Sequence, residues 1–265
     1  MPRVEPAADA GRQADAAGRA LEAEGLTYAY PRQQVLDGVT FSVERGEFVA
    51  LVGPNGSGKS TLLRLVLGLF PRQAGTVRLF GQPPESLAER WRIGYVPQRP
   101  VATDALPTTV EELVACGRLT RCGWRRRLRA EDWEAVETAL RMVSLTDLRR
   151  RPLTELSVGQ QQRAHIAKAF ACRPELLVLD EPVAGVDAES QRQFRDSVVG
   201  LVREHGTAVL LVSHELSAVA DDLDRVLVLR GGRIVFDGPP EDLTRTGVSL
   251  GVHAHDLPVW LEGSG

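Results

Sequence analysis

The sequence predicts an α/β fold in which a largely parallel sheet, covered on both faces by helices, is interrupted by an all-helical insertion. Two observations carry this. Continuous apolar segments of strand length alternate with helical segments along most of the chain, the pattern of parallel strands buried on both faces. Strand signals vanish between about residues 100 and 158, where only helical periodicity remains.

The elements follow in order. VTFSV at 39–43, EFVALVG at 47–53 and TVRLF at 76–80 read as buried or half-buried strands bounded by turns, as do IGYV at 93–96, LLVLD at 176–180 and AVLLVS at 208–213. Helices are expected over 59–69, with Leu62, Leu63, Val66 and Leu67 on one side, and over 187–205. RVLVLRGGRIVFDG at 225–238 is expected to be an antiparallel hairpin turning at Gly231 and Gly232.

Inside the insertion, Thr108 with Glu111 makes a capping box opening PTTVEELVACGR. EDWEAVETALRMV sets Trp133, Val136, Leu140 and Val143 on one helical face. Ser157 with Gln160 makes a second capping box in LSVGQQQR, and Gly159 leaves the backbone amides there uncovered, a helix mouth suited to an anion. The arginine-rich RLTRCGWRRRLR at 118–129 reads as a solvated surface, with contact to phospholipid head groups as the alternative. The expected organisation is a flexible tail at 1–20, a domain at 21–240 and a second tail at 241–265. Within the domain, the core at 21–99 and 159–240 surrounds a helical subdomain at 100–158.

At 265 residues and 43% hydrophobic content the chain can bury a sizeable core, which excludes collagenous or fully disordered classes. A net charge of −3 gives no reason to expect a nucleic-acid partner. Cys116, Cys122 and Cys172 show no CxxC spacing, which argues against a disulfide framework or zinc knuckle and for a reducing compartment. No apolar run reaches the ~18 residues of a membrane span, and the N-terminus lacks a signal-peptide core. Of the 32 basic residues only Lys59 and Lys168 are lysines, so the lysine retained in GPNGSGKST points to a role that a planar guanidinium cannot fill.

GPNGSGKST follows a strand and opens a helix, the context that makes it a phosphate-binding P-loop. Gly53, Gly56 and Gly58 let the backbone wrap phosphate with its amides inward, Lys59 reaches the β- and γ-phosphates, and Ser60 offers an oxygen to Mg²⁺. Pro54, Asn55, Ser57 and Thr61 complete the nucleotide-contacting run. LLVLDEP delivers Asp180 and Glu181 to the carboxyl end of a strand, where Asp180 would hold Mg²⁺ and Glu181 would polarise water as general base. Gln98 and His214 close two further strands and approach the γ-phosphate side of the same cleft, with Gln98 a third candidate Mg²⁺ ligand beside Ser60 and Asp180. Tyr30 could stack on adenine, and Tyr28 is the competing choice.

GPNGSGKST, Gln98, LSVGQQQR, LLVLDEP, Asp187 and His214, in that order, resemble the nucleotide-binding subunit of ABC transporters over about residues 21–240. The resemblance implies a P-loop NTPase, with a RecA-like core carrying an antiparallel β portion beside the helical subdomain. It also implies ATP with Mg²⁺ as cofactors, and a homodimer in which the P-loop of one subunit faces LSVGQ of the other. Ser157, Gly159 and Gln160 would then touch the partner's ATP, Asp187 would communicate across the dimer, and Tyr30 aligns with the adenine-stacking aromatic. Gln98 would couple the site to an integral membrane permease. One departure is Val158, which stands where the family carries a glycine of a pair and narrows the approach to the helix mouth.

GYVPQR, ALPTTVEELVACGR and DEPVAGVDAESQ look like the subgroup that powers import of zinc, manganese or iron. This subgroup implies a peripheral protein on the cytoplasmic face of the membrane, working with an extracytoplasmic solute-binding protein. The alternatives are another cargo or a soluble assembly ATPase. His253 and His255 form an HxH pair that could bind metal.

Overall fold

The computed structural model describes residues 18–98, 108–122, 127–182, 188–213, 216 and 219–243. Asp187, His214, His253, His255 and the middle of the arginine-rich stretch lie outside the described residues.

Strands β1 (Arg19–Tyr30), β2 (Gln33–Glu44) and β4 (Ala74–Leu79) form a three-stranded antiparallel sheet in the order β2-β1-β4. A six-stranded sheet runs β5-β6-β7-β3-β8-β9, built from β3 (Phe48–Val52), β5 (Ile93–Val96), β6 (Leu176–Asp180), β7 (Ala208–Val212), β8 (Arg225–Arg230) and β9 (Arg233–Gly238). All its pairs are parallel except the β8–β9 hairpin, which turns at Gly231–Gly232 as expected.

The parallel strands feed two cores through their period-two alternation. On one face Phe48, Ala50, Leu177, Leu179, Val209 and Leu211 join the cluster beneath the helices α2 (Val110–Cys122), α3 (Ala130–Met142), α4 (Val158–Ala171) and α5 (Ala188–His205). On the other face Val49, Leu51, Leu176, Val178, Leu210 and Val212 pack with α1 (Lys59–Val66) and the small antiparallel sheet. A short helix, α6 (Pro240–Leu243), follows β9.

Several sequence expectations shift. β1 starts at Arg19, and Ala20 is fully buried, so the first strand takes in the last two residues of the stretch expected to be tail. Helix α1 ends at Val66 rather than at 69, because Gly68 takes a left-handed φ of 68° that stops the helix. The capping box of α2 sits one residue later than expected: Thr109 N–H and Oγ1 both bond Glu112 Oε2, at 2.8 and 2.9 Å. That register buries Val110, and it frees Glu111 to accept from Arg149 Nε at 2.6 Å. Trp133 is not on the buried face of α3. It lies in the first turn, 42% exposed, while Ala135, Val136, Ala139 and Leu140 form the buried stripe. Helix α4 packs on α2 and α3, so the helical layer continues past residue 158 to Ala171.

A buried ion pair ties that layer together. Arg118 on α2 donates to Asp132 on α3 through Nε at 2.9 Å and Nη2 at 2.6 Å, and through Nη1 to the Ala171 carbonyl at the end of α4 at 3.0 Å. The layer meets the core where the Arg121 guanidinium lies 4.2 Å from the centroid of Trp91, in the single 3₁₀ turn before β5.

Candidate active site

β3 ends at Val52 and the P-loop turns immediately into α1. Two glycines are fixed by close approach: a Cβ on Gly53 would sit 2.1 Å from the Leu229 carbonyl, and one on Gly58 would meet Leu36 Cδ2 at 2.8 Å and the Val35 carbonyl at 3.0 Å. The loop is thus clamped between β8 and β2. Lys59 is 6% exposed, and its Nζ donates to the carbonyls of Gly53 at 2.7 Å and Pro54 at 3.3 Å. Burial pushes the ammonium pKa down from its usual value, and the charges of Glu181 and Asp180 resist that fall.

Asp180 continues the row Leu176–Val178 and therefore lies on the α1 face of the sheet, below the P-loop. It is 8% exposed. Burial, followed by the Glu181 charge, raises its carboxyl above the ordinary range, while Arg64 and Lys59 oppose the rise. A cation bound there would lower it again.

Glu181 takes a left-handed φ of 47°, a costly backbone for a residue with a side chain, held by its N–H donating to the Val212 carbonyl at 2.7 Å. Its Oε2 accepts a hydrogen bond from Gln98 Nε2. The structure therefore brings Lys59, Asp180, Glu181 and Gln98 together, with Ser60 exposed at the start of α1.

A polyphosphate fits this cradle. Among the described residues the buried Ser57 Oγ has no hydrogen-bond partner, Asn55 and Gly56 are exposed, and the ammonium of Lys59 lies against two carbonyls it can exchange for phosphate oxygens. Carboxylate, amide and hydroxyl oxygens at Asp180, Gln98 and Ser60 are a hard donor set of the kind Mg²⁺ takes.

Tyr30 closes β1 with 40% of its surface exposed. Tyr28 meets it edge-on, ring centroids 5.2 Å apart, and itself stacks on Phe70 at 6.0 Å. Ser157 caps α4 as expected: its N–H donates to Gln160 Oε1 at 3.0 Å and its Oγ accepts from Gln160 N–H at 3.3 Å. Among the described residues no hydrogen bond or ion pair joins Ser157, Gly159 or Gln160 to the P-loop. Val158, at the mouth of that helix, is 68% exposed.

Sequence reasoning missed three residues here. Arg64, one turn into α1, acts on Asp180 and lies 5.3 Å from the Phe70 centroid; its spacing from Ser60 on the helix was the available signal. Gln161 braces the approach to α4, donating at 3.1 Å to both the Leu153 and Leu156 carbonyls. Gln73 bonds the backbone of Ala29, and nothing local in the sequence marks it.

The family model described as ABC transporter matches residues 36–184, more than half of the chain. The zinc uptake system ATP-binding protein ZurA of Listeria innocua is 42% identical over 219 residues, 82% of this chain and 85% of that protein. The manganese transport system ATP-binding protein MntB of Bacillus subtilis is 37% identical over 223 residues, 84% and 88% of the two chains. Among solved structures, cbiO1 of Clostridium perfringens, part of the ABC transporter complex cbiONQ, superposes with a TM-score of 0.75 at 27% identity, over 86% of this chain and 91% of that one. A clamped P-loop facing a carboxylate pair, on this fold and with these relatives, makes the chain a member of the ABC transporter family, as an ATP-binding and ATP-hydrolysing subunit.

Proposed function

We propose that this subunit powers import of a divalent metal ion, zinc or manganese, through a separate integral membrane permease. The observation that carries this cargo is the likeness, over four-fifths of the chain, to ATP-binding proteins named for zinc and manganese transport. The working unit is a homodimer at the cytoplasmic face of the membrane, served by an extracytoplasmic solute-binding protein.

The chemistry rests on this chain's own groups. The P-loop amides and Lys59 hold the triphosphate, with the Lys59 ammonium turning from the Gly53 and Pro54 carbonyls to phosphate oxygens. Ser60, Gln98 and Asp180 would hold Mg²⁺, which would supply positive charge against the triphosphate. Glu181 accepts the proton of the attacking water, and Gln98 orients it through their hydrogen bond. His214, following β7, contacts the γ-phosphate, and Tyr30 stacks on adenine: Tyr28 is engaged with Phe70, whereas Tyr30 is the more exposed ring.

The mouth of α4, with Ser157, Gly159 and Gln160, serves the ATP of the second subunit, and Asp187 lies at the contact between the two. The capped, solvent-exposed mouth supports this assignment.

A pocket of about 160 Å³ lined by Leu67, Leu69, Arg90, Ile93 and Tyr95 suits an apolar segment of the permease. Leu69 is 57% exposed there. Two of the lining residues lie on β5, the strand that leads to Gln98, so an occupant would act on the catalytic amide through one short strand.

Uptake of Zn²⁺, Mn²⁺ and Fe²⁺ is the test, in cells lacking the gene and in cells complemented with wild type or Glu181→Gln. Zinc or manganese uptake is expected to fall without the gene and to return only with wild type. Unchanged uptake of all three metals would remove the metal-import reading.

A further inference from the structure

The antiparallel ladder between β1 and β4 stops at the pair Thr27–Ala74, three residues before β1 ends. Beyond it, the side chain of Gln73 takes over. Its Oε1 accepts from the Ala29 N–H at 2.7 Å, and its Nε2 donates to the Ala29 carbonyl at 2.8 Å. A primary amide carries the donor and acceptor of a peptide group, so Gln73 acts as one extra strand residue on the outer edge of β1. On the inner edge β2 continues, pairing Ala29 with Gln34 and Tyr30 with Gln33. Gln73 thus takes both backbone polar groups of Ala29 on one side, while the strand stays in register with β2 on the other.

Ala29 lies between the two tyrosines, which share one face of the strand. Tyr28 rests on Phe70, and Phe70 lies under the Arg64 guanidinium of α1, the P-loop helix. The row Tyr30–Tyr28–Phe70–Arg64 thus runs from the strand end to the phosphate-binding helix. Strand ends fray unless tied down, and a frayed Tyr30 would lose its fixed position at the end of that row.

We propose that Gln73 is a positioning residue for the nucleobase: its bidentate clamp on Ala29 pre-organises Tyr30 to stack on adenine. This rests on the assignment of Tyr30 as the stacking ring. The clamp lowers the ordering cost of base binding and leaves the phosphate chemistry alone.

The test uses the full-length protein with Gln73→Met, which keeps the side-chain length and removes both hydrogen bonds, Tyr30→Ala, and the double variant. ATP and inorganic tripolyphosphate, which has no base, are the probes. Gln73→Met is expected to weaken ATP binding about fivefold, to raise KM without lowering kcat, and to leave tripolyphosphate binding at the wild-type level. In the Tyr30→Ala background it should add nothing. ATP affinity within twofold of wild type, an equal loss for tripolyphosphate, or a full additive loss on top of Tyr30→Ala would each overturn the proposal while leaving Tyr30 as the stacking ring. Wild-type ATP affinity in Tyr30→Ala alone would remove the stacking assignment and the Gln73 role with it.

Discussion

Gln98 and Glu181 are hydrogen-bonded to each other beyond the carboxyl ends of neighbouring strands, the amide Nε2 donating to the carboxylate Oε2. The pairing of β5 with β6, Val96 opposite Leu179, brings two residues 83 positions apart to one point. The carboxylate that would activate water is thus steered by a residue just beyond the strand that lines the apolar pocket.

Glu181→Gln keeps the shape and removes the base. ATP affinity should stay within about twofold, kcat should fall by roughly 10²–10⁴, and an ATP-bound dimer should accumulate. Single-turnover hydrolysis and size exclusion with ATP would measure both; turnover at the wild-type rate would exclude Glu181 as the base.

Lys59→Ala removes the cation that Asp180 and Glu181 favour and that the phosphates would meet. Nucleotide binding should drop by at least about tenfold, as expected for losing a charge-assisted contact worth about 1.5–3 kcal/mol. Lys59→Arg should fail to restore it, because a planar fork cannot replace a compact ammonium in a loop clamped this tightly. Titration with a fluorescent ATP analogue reads the difference, and full rescue by arginine would contradict it.

Val158 leaves a β-branched side chain 68% exposed at the helix mouth assigned to the second subunit. Val158→Gly in a Glu181→Gln background should therefore strengthen ATP-dependent association severalfold. Sedimentation with and without ATP would show this. Unchanged or weaker association would mean that the valine is accommodated without cost.

Asp132 sets an acid limit on the helical layer. Burial alone would raise its carboxyl, but hydrogen bonds from the Cys122 thiol, the Arg129 N–H and Arg118 outweigh it and hold the pKa at about 2. The unfolded chain therefore binds this proton first, so the stabilisation is fully present above pH ~4 and is lost as pH falls toward ~2. Denaturant midpoints measured from pH 6 down to 3 should decline in wild type and be flatter in Asp132→Asn. Arg118→Met, which leaves the carboxylate buried without its partner, should cost about 3 kcal/mol at neutral pH.

The sequence made some of this legible and not the rest, for physical reasons. Both halves of the candidate site could be read because each is local: an apolar strand followed by closely spaced glycines, and an apolar strand followed by two carboxylates. The β8–β9 hairpin was equally local. The extent of β1 was hidden because RALEAEGLTYAY alternates imperfectly, its register broken by bulges against both neighbours. The capping register at Thr109 was decided by burial of Val110, and the exposure of Trp133 by where α3 meets its neighbours, which are tertiary facts. Gln73 on Ala29 and Arg64 beside Asp180 are meetings across 44 and 116 residues, with no local pattern to announce them.

The scarcity of lysine has a practical side. Amine-directed reagents meet only Lys59, Lys168 and the chain's terminal amine, and Lys59 is nearly buried with its pKa pushed down, so its neutral form is more available than that of an ordinary lysine. Acylation at that one position, followed peptide by peptide with and without ATP, would report occupancy of the nucleotide site directly, without any engineered label.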